Sequence, residues 1–375
     1  MSGRRTTTMH LLAWRSCFMG MLLGGCGAAP PTEPWEREPD YYQPHEVLRH
    51  VHRPHATRVT PVPDHPAGRV TFRTNARGFR NDTEHTVPKP PNTIRILVTG
   101  DSHTDGVVDN ADSFAPALER LLRITAVEQD RDVTIEVVNG GTGYWGPAEY
   151  GVAFSLWADL EPDWCVVVLY EGNDFLDVVA SEERAGQRAI QRTPDHYERL
   201  EAVWELAGER VSQQLNQDFL FAQDVVAARD AVQETGAALL AAHTACVKHG
   251  APLLVARLPP VGAVHAPTAA QADAIRTHLG DTFTLSGRVL GDRLVDWLSG
   301  RSPDLKVIDL WEDLYRSAHG LHTPPEQPSG GVATGQKGSP ARMFWSGDHH
   351  LSVHGHAVLA SALARHITLP KPESR

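Results

Sequence analysis

Cysteine is scarce, with four in 375 residues. Cys17 and Cys26 fall in the N-terminal segment, which leaves Cys165 in an apolar run and Cys246 in a helical pattern. Two thiols cannot supply the dense disulfide framework of a small stapled fold. Their spacing leaves open both a single disulfide and a pair of buried free thiols. Basic charge is also short: 35 Lys and Arg against 46 Asp and Glu give a net −11. The first 25 residues hold Arg4, Arg5 and Arg15 and no acidic side chain, so the rest of the chain is more acidic still. Such a surface repels nucleic acid and anionic lipid headgroups, and neither is an expected partner. No internal repeat is visible.

What is present suits a large folded unit. Hydrophobic residues make up 41% of the chain, enough for a substantial core in one large α/β domain or two small ones. Histidine is abundant, and many of the 20 lie in two stretches, His45 to His65 and His349 to His356. Only the second sits among residues that suggest chemistry.

The N-terminus reads as an address. The three arginines flank Phe18-Met19-Gly20-Met21-Leu22-Leu23, followed by Gly24-Gly25-Cys26. A basic flank, a brief apolar core and small residues before a break describe a secretory signal, too short to span a bilayer. Leu23-Gly24-Gly25-Cys26 resembles a bacterial lipobox, which implies lipidation of Cys26 as the mature first residue. The expectation is export, with a lipid anchor at a bacterial membrane, on its periplasmic face or at the cell surface. The expected divisions are a signal at 1–25, a tether at 26–45, an N-terminal extension packing on the main domain at 46–92, and a main domain at 93–369.

From residue 93 the pattern alternates. Thr93–Thr99, Val133–Val138, Trp164–Tyr170, Pro252–Leu258 and Leu305–Leu310 read as strands. Between them, Phe114, Leu118 and Leu121 share a helical face, and Pro147 opens a helix carrying Tyr150, Phe154 and Trp157. Gly355–Ile367 closes the chain as a helix. Strands alternating with helices predict a three-layer α/β/α fold with a mostly parallel, flavodoxin-like sheet. A polar helical stretch at about 183–249, with Leu200, Val203 and Leu206 in one stripe, reads as an insertion. A short hairpin is expected around Val70–Arg80, and 322–341 reads as a loop.

In parallel sheets, ligands bind beyond the carboxyl ends of the strands. Three expected strands end there in polar clusters: Gly100-Asp101-Ser102-His103, Asn139-Gly140-Gly141-Thr142-Gly143 and Glu171-Gly172-Asn173-Asp174. A fourth cluster, Ser346-Gly347-Asp348-His349-His350-Leu351-Ser352, precedes the last helix. Acyl transfer needs such a set. A serine hydroxyl needs a neighbouring base, the base needs a carboxylate, and the tetrahedral intermediate needs aimed hydrogen-bond donors.

These four clusters, in this order and with three of them at strand ends, resemble the blocks of the SGNH or GDSL-type hydrolases, over about Arg73 to Ile367. Asn75-Ala76-Arg77-Gly78-Phe79-Arg80 also resembles a segment that precedes the first block in some exported members. The resemblance implies Ser102 as nucleophile, His350 as base and Asp348 as its orienting partner. It further implies oxyanion donors at the Ser102 amide, the Gly141 amide (with Gly140 as the alternative) and the Asn173 side chain. No cofactor or metal is implied. His103 replaces the commoner residue after the serine, and Asp348 lies two rather than three positions before His350. The Gly-x-Ser-x-Gly elbow of the α/β-hydrolases is absent.

Competing readings of these residues are structural. Ser102 could cap a helix, and Asn173 and Asp174 could close a turn on their own backbone. Gly141-x-Gly143-x-x-Gly146 matches a dinucleotide fingerprint, yet Tyr144 and Trp145 are bulky inside that turn. Asp348, His349, His350, His354 and His356 suggest a metal. However, a helix starting near Val353 points His354 and His356 about 200° apart, one to the site and one to solvent. Trp145, Trp345 and His349 are candidate pocket walls. Glu171 is unexplained, since a carboxylate there would oppose an oxyanion unless it points away. The expected activity is ester hydrolysis on an ester-bearing small molecule, glycan or lipid. The alternatives are O-acyl transfer to a surface glycan and a silent binding module.

Overall fold

The computed structural model describes residues 33–208, 211–321 and 342–370. The expected signal, Cys26 and the expected loop at 322–341 lie outside them. The N-terminal part forms two small antiparallel sheets: β1 (Tyr42–Pro44) with β2 (His50–His52), and β3 (Thr57–Pro61) with β4 (Arg69–Arg73). Then follow β5 (Thr93–Gly100), β6 (Thr134–Asn139), β7 (Trp164–Tyr170), β8 (Leu253–Leu258) and β9 (Lys306–Asp309). These five make one all-parallel sheet in the order β6-β5-β7-β8-β9.

Alternating side chains on these strands feed two cores, as a period of two requires. Ile94, Ile96 and Val98 face the helices Phe114–Glu128 and Val353–His366. Leu97, Val167 and Leu169 face the helices Pro147–Leu156, Asp174–Arg184, Val225–Lys248 and Val289–Ser299. The result is the expected three-layer α/β/α sandwich. Among the described residues no helix is long and apolar enough to cross a membrane.

Three boundaries differ from expectation. The tether does not extend to residue 45, because Pro34–Arg37 forms a helical turn and Tyr41 and Tyr42 are buried. The two adjacent aromatic rings bind this stretch to the body, which its Pro- and Glu-rich flank concealed. The hairpin lies earlier than 70–80, with β4 ending at Arg73. The 183–249 stretch is not one insertion. Its last part, Val225–Lys248, is the crossover helix from β7 to β8 and covers a sheet face through Ala231, Leu239, Ala242 and Cys246. That face is mostly small residues, so it carries little hydrophobic signal, and Gly151 lets the Pro147–Leu156 helix approach within van der Waals range of Ala242. Only His196–Ala207 and Ser212–Gln223 remain as additions. Leu200 and Val203 are buried there, but Leu206 is 63% exposed.

Cys165 and Cys246 are free, buried thiols. Burial, reinforced by a hydrogen bond from Cys246, raises the Cys165 thiol so that it stays protonated.

Candidate active site

β5 ends at Gly100 and turns at once into a one-turn helix, Ser102–Asp105. A side chain at Gly100 would stand 2.7 Å from the Val168 carbonyl, so the close turn requires glycine. Asp101 caps the helix by accepting the His103 N–H at 2.8 Å. Ser102 is therefore the first helical residue, and its amide has no acceptor within the helix.

The loop bearing Asp348 and His350 is tied on both sides. The Trp345 N–H donates to the His350 carbonyl at 3.0 Å, and the Ser352 N–H donates to Met343 at 2.9 Å. Asp64, from the β3–β4 loop, accepts the Ser346 and Gly347 amides at 2.6 and 3.2 Å. The Trp345 indole donates to the Val107 carbonyl at 3.0 Å. Ser352 then caps the last helix through the Gly355 N–H.

These ties bring three residues into line. His350 Nε2 lies 2.8 Å from Ser102 Oγ, and His350 Nδ1 lies 2.8 Å from Asp348 Oδ1. Asp348 Oδ1 also accepts the His350 backbone N–H at 3.2 Å. Burial alone would raise the Asp348 carboxyl, but the His350 and His349 imidazoles and these hydrogen bonds hold it far below its ordinary value. Burial pulls His350 down, yet the Asp348 carboxylate outweighs it and the imidazole is raised. An ionised carboxylate on Nδ1 leaves Nε2 free to accept the serine proton.

Two further histidines crowd the base. His103 stacks on Tyr170 at 3.6 Å and lies 4.9 Å from His350, centroid to centroid. Burial and the neighbouring imidazoles hold His103 well below its ordinary value, hence neutral. Its Nε2 meets Gln213 Oε1 at 3.2 Å, and His349 Nδ1 lies 3.5 Å from Ser212 Oγ. Both partners belong to the Ser212–Gln223 helix, so this added helix packs over the site. Nothing in its sequence marked Ser212 or Gln213.

The three expected oxyanion donors reach the same edge of the sheet, but two are held by the protein. The Gly141 N–H donates to Asn139 Oδ1 at 3.1 Å. The Asn173 side chain donates to Asp177 Oδ2 at 2.8 Å, with Asp101 also close by. The alternative donor, the Gly140 amide, continues the sheet by donating to the Val98 carbonyl. Burial pushes Asp101 up to about 6 and Asp177 up to about 7. Asp174 is structural, accepting from the Tyr150 hydroxyl and the Tyr170 N–H.

Several other readings are settled by position. Glu171 points away from Ser102 and pairs with Arg257 at 2.5 Å, burial pushing it up to about 7. The Gly141–Gly146 turn is filled by the protein itself: a side chain at Gly143 would meet the Tyr42 hydroxyl. Trp145 is core, its indole donating to the His50 carbonyl. His354 is the more exposed of the two, half-buried, and neither points into open solvent. His356 is fully buried against the Phe114 N–H and His354 Nε2 meets Ser317 Oγ at 2.9 Å. The last helix is covered on both flanks, by the helices Phe114–Glu128 and Trp311–Ala318. Asp348, His349 and His350 each bring a ligand atom within 4.8 Å of the others, as do His65, Asp109 and Asp112. In the first group both His350 nitrogens are already directed at Ser102 and Asp348. A cavity of about 480 Å³ lies at the opposite, amino edge of the sheet, beside Asp163 and Pro252.

Strand order and layering show a three-layer α/β/α fold with one all-parallel five-stranded sheet, and Ser102, His350 and Asp348 meet at its carboxyl edge. No family model matches the chain and no curated protein matches it. Solved structures similar to it include an acetyl xylan esterase from Geobacillus stearothermophilus, at 15% identity and TM-score 0.37, covering 72% of this chain and 93% of that one. An acylhydrolase structure from Bacteroides fragilis has 12% identity and TM-score 0.34, covering 76% and 90%. A GDSL-like lipase from Bacteroides thetaiotaomicron has 8% identity and TM-score 0.31, covering 72% and 86%. At such distances the site's own geometry has to carry the chemistry.

Proposed function

We propose that this chain is a serine ester hydrolase of the SGNH type that works through an acyl-Ser102 intermediate. The observation that carries the reading is the unbroken hydrogen-bond chain Ser102–His350–Asp348, 2.8 Å at each link. His350 Nε2 takes the Ser102 proton as Oγ attacks the ester carbonyl, then returns it to the departing alcohol oxygen. Asp348 holds the imidazolium that exists between these steps. Water, deprotonated by the same nitrogen, releases the acid and restores Ser102.

The oxyanion is received by the Ser102 amide and by Asn173, whose side-chain NH₂ must turn a proton from its carboxylate neighbours Asp177 and Asp101 toward the substrate. Asn173→Ala is expected to lower kcat about 10²–10³-fold with little change in KM. Steady-state kinetics on p-nitrophenyl acetate reads this directly. An unchanged kcat would remove Asn173 from the oxyanion site.

The favoured substrate class is an O-acetylated surface glycan, consistent with export and with Cys26 as the site of a lipid anchor. Metabolic labelling with an alkynyl fatty acid is expected to mark the full chain and to miss Cys26→Ala; labelling of both would refute the anchor site. Incubation with p-nitrophenyl acetate, longer acyl esters and an acetylated xylan, followed by product analysis, tests the substrate. Acetate released to water supports hydrolysis, whereas acetyl groups recovered on an added acceptor sugar would replace it with transfer. Release of neither product would leave the ester-hydrolase reading without support.

A further inference from the structure

A four-residue helix cannot hold its own shape. One hydrogen-bonded turn does not offset the entropy of fixing its backbone. Yet Ser102–Asp105 must present the hydroxyl at 2.8 Å from His350 Nε2. The restraint comes from a different part of the chain.

Arg80 is 1% exposed and spends its whole guanidinium on this turn and the residues that follow it. Its Nε lies 3.2 Å from Asp105 Oδ1, and Nη2 donates to the Gly106 and Val108 carbonyls at 3.2 and 2.8 Å. Its Nη1 donates to Asn110 Oδ1. From the other side, His52 Nε2 lies 3.3 Å from Asp105 Oδ2. Asp105 is 4% exposed, so its charge needs such partners. Its carboxyl is lowered despite burial, the His52 charge and hydrogen bond and the Arg80 charge outweighing the desolvation.

The arginine is itself fixed. Its N–H donates to the Asn139 carbonyl at 2.9 Å, and its guanidinium lies 4.4 Å over the Phe72 ring. The preceding turn is set by Asn75, whose side chain accepts the Arg77 and Phe79 amides at 3.0 Å each. Gly78, at φ +80°, passes so close to the His52 carbonyl that a side chain there would collide with it. The segment from Asn75 to Arg80 is thus built to deliver one guanidinium beneath the nucleophile.

We propose that Arg80 is a positioning residue for Ser102, acting through Asp105 and the Gly106 and Val108 carbonyls, so that the N-terminal segment is a working part of the active site. The proposal rests on the ester-hydrolase reading for its kinetic consequences but not for its structural one. Displacement of a nucleophile by about 1 Å can cost on the order of 10² in rate.

The test compares full-length wild type, Arg80→Lys, Arg80→Met and Asp105→Asn, each first shown to be folded by its cooperative thermal transition. Kinetics on p-nitrophenyl acetate, the rate of Ser102 labelling by a fluorophosphonate, and hydrogen exchange over residues 101–108 are measured together. Arg80→Met is expected to lose about 10² in kcat and in labelling rate, with KM within a few-fold and faster exchange confined to that stretch. Arg80→Lys recovers part of the rate, since it restores one cation–Asp105 contact without the carbonyl grip. Asp105→Asn, which keeps the shape and loses the charge, falls between wild type and Arg80→Met. A folded Arg80→Met with wild-type kcat, labelling and exchange would overturn the proposal. Should Arg80→Met fail to fold, Asp105→Asn and Arg80→Lys decide it by the same three readouts. Should wild type neither turn over esters nor take the phosphonate, the hydrolase reading falls, and exchange over 101–108 still decides whether Arg80 holds the turn.

Discussion

Ser102→Ala is expected to lower kcat on p-nitrophenyl acetate by 10⁴-fold or more, on the order of what loss of a serine nucleophile costs elsewhere. KM should change little, because a hydroxyl removed from a half-buried position takes away little of the surface that binds the ester. The collapse has a specific cause. Without Oγ no acyl-enzyme forms, and the remaining route is direct attack by water beside His350, helped only by the oxyanion donors. Stability should hardly fall, because Asp101 rather than Ser102 caps the helix. A variant with unchanged melting temperature and background turnover is the expected result. Retained turnover would place the nucleophile elsewhere.

Asp348→Asn should be nearly as damaging, on the order of 10⁴ in kcat, since an amide at this position favours the wrong imidazole tautomer. It carries a second, sharper consequence for pH. His350 must be neutral to accept the serine proton, so activity is lost as pH falls through its folded pKa. Burial lowers that pKa, but Asp348 outweighs burial and lifts it above 6.5. The acid limb of kcat/KM in wild type is therefore expected above pH 6.5. In Asp348→Asn burial acts unopposed by that charge, and the limb should move to lower pH even as the rate drops. A pH–rate profile of both proteins reads the shift. An acid limb at the same pH in each would show that Asp348 does not set the base.

How much of this was legible in sequence depended on how local each signal was. Trp164–Tyr170 was readable to the residue because a strand buried on both faces is a continuous apolar run. Pro147 marked its helix, three polar clusters marked strand ends, and the fourth marked the start of the last helix. The helix Val225–Lys248 was misread because a helix packing closely through Ala, Gly and Thr carries a weak hydrophobic stripe. Arg80 lay in a segment the sequence singled out, but nothing there named its partner, and His52 and Asp64 carried no signal at all. The partners lie 25 residues away (Arg80 and Asp105), 53 away (His52 and Asp105) and 282 away (Asp64 and Ser346), and only the fold brings them together. The donation of Gly141 to Asn139 and of Asn173 to Asp177 was likewise hidden, since motif spacing names a donor without naming its partner.

The central claim is that Ser102 becomes acylated on the way to product. Its most direct test is intact-mass analysis of the protein acid-quenched during turnover of p-nitrophenyl acetate, followed by peptide mapping. The account predicts one added acetyl group on Ser102 that disappears when substrate is exhausted and is absent from Ser102→Ala. Steady hydrolysis with no adduct under these conditions, or an adduct on any other residue, would contradict it.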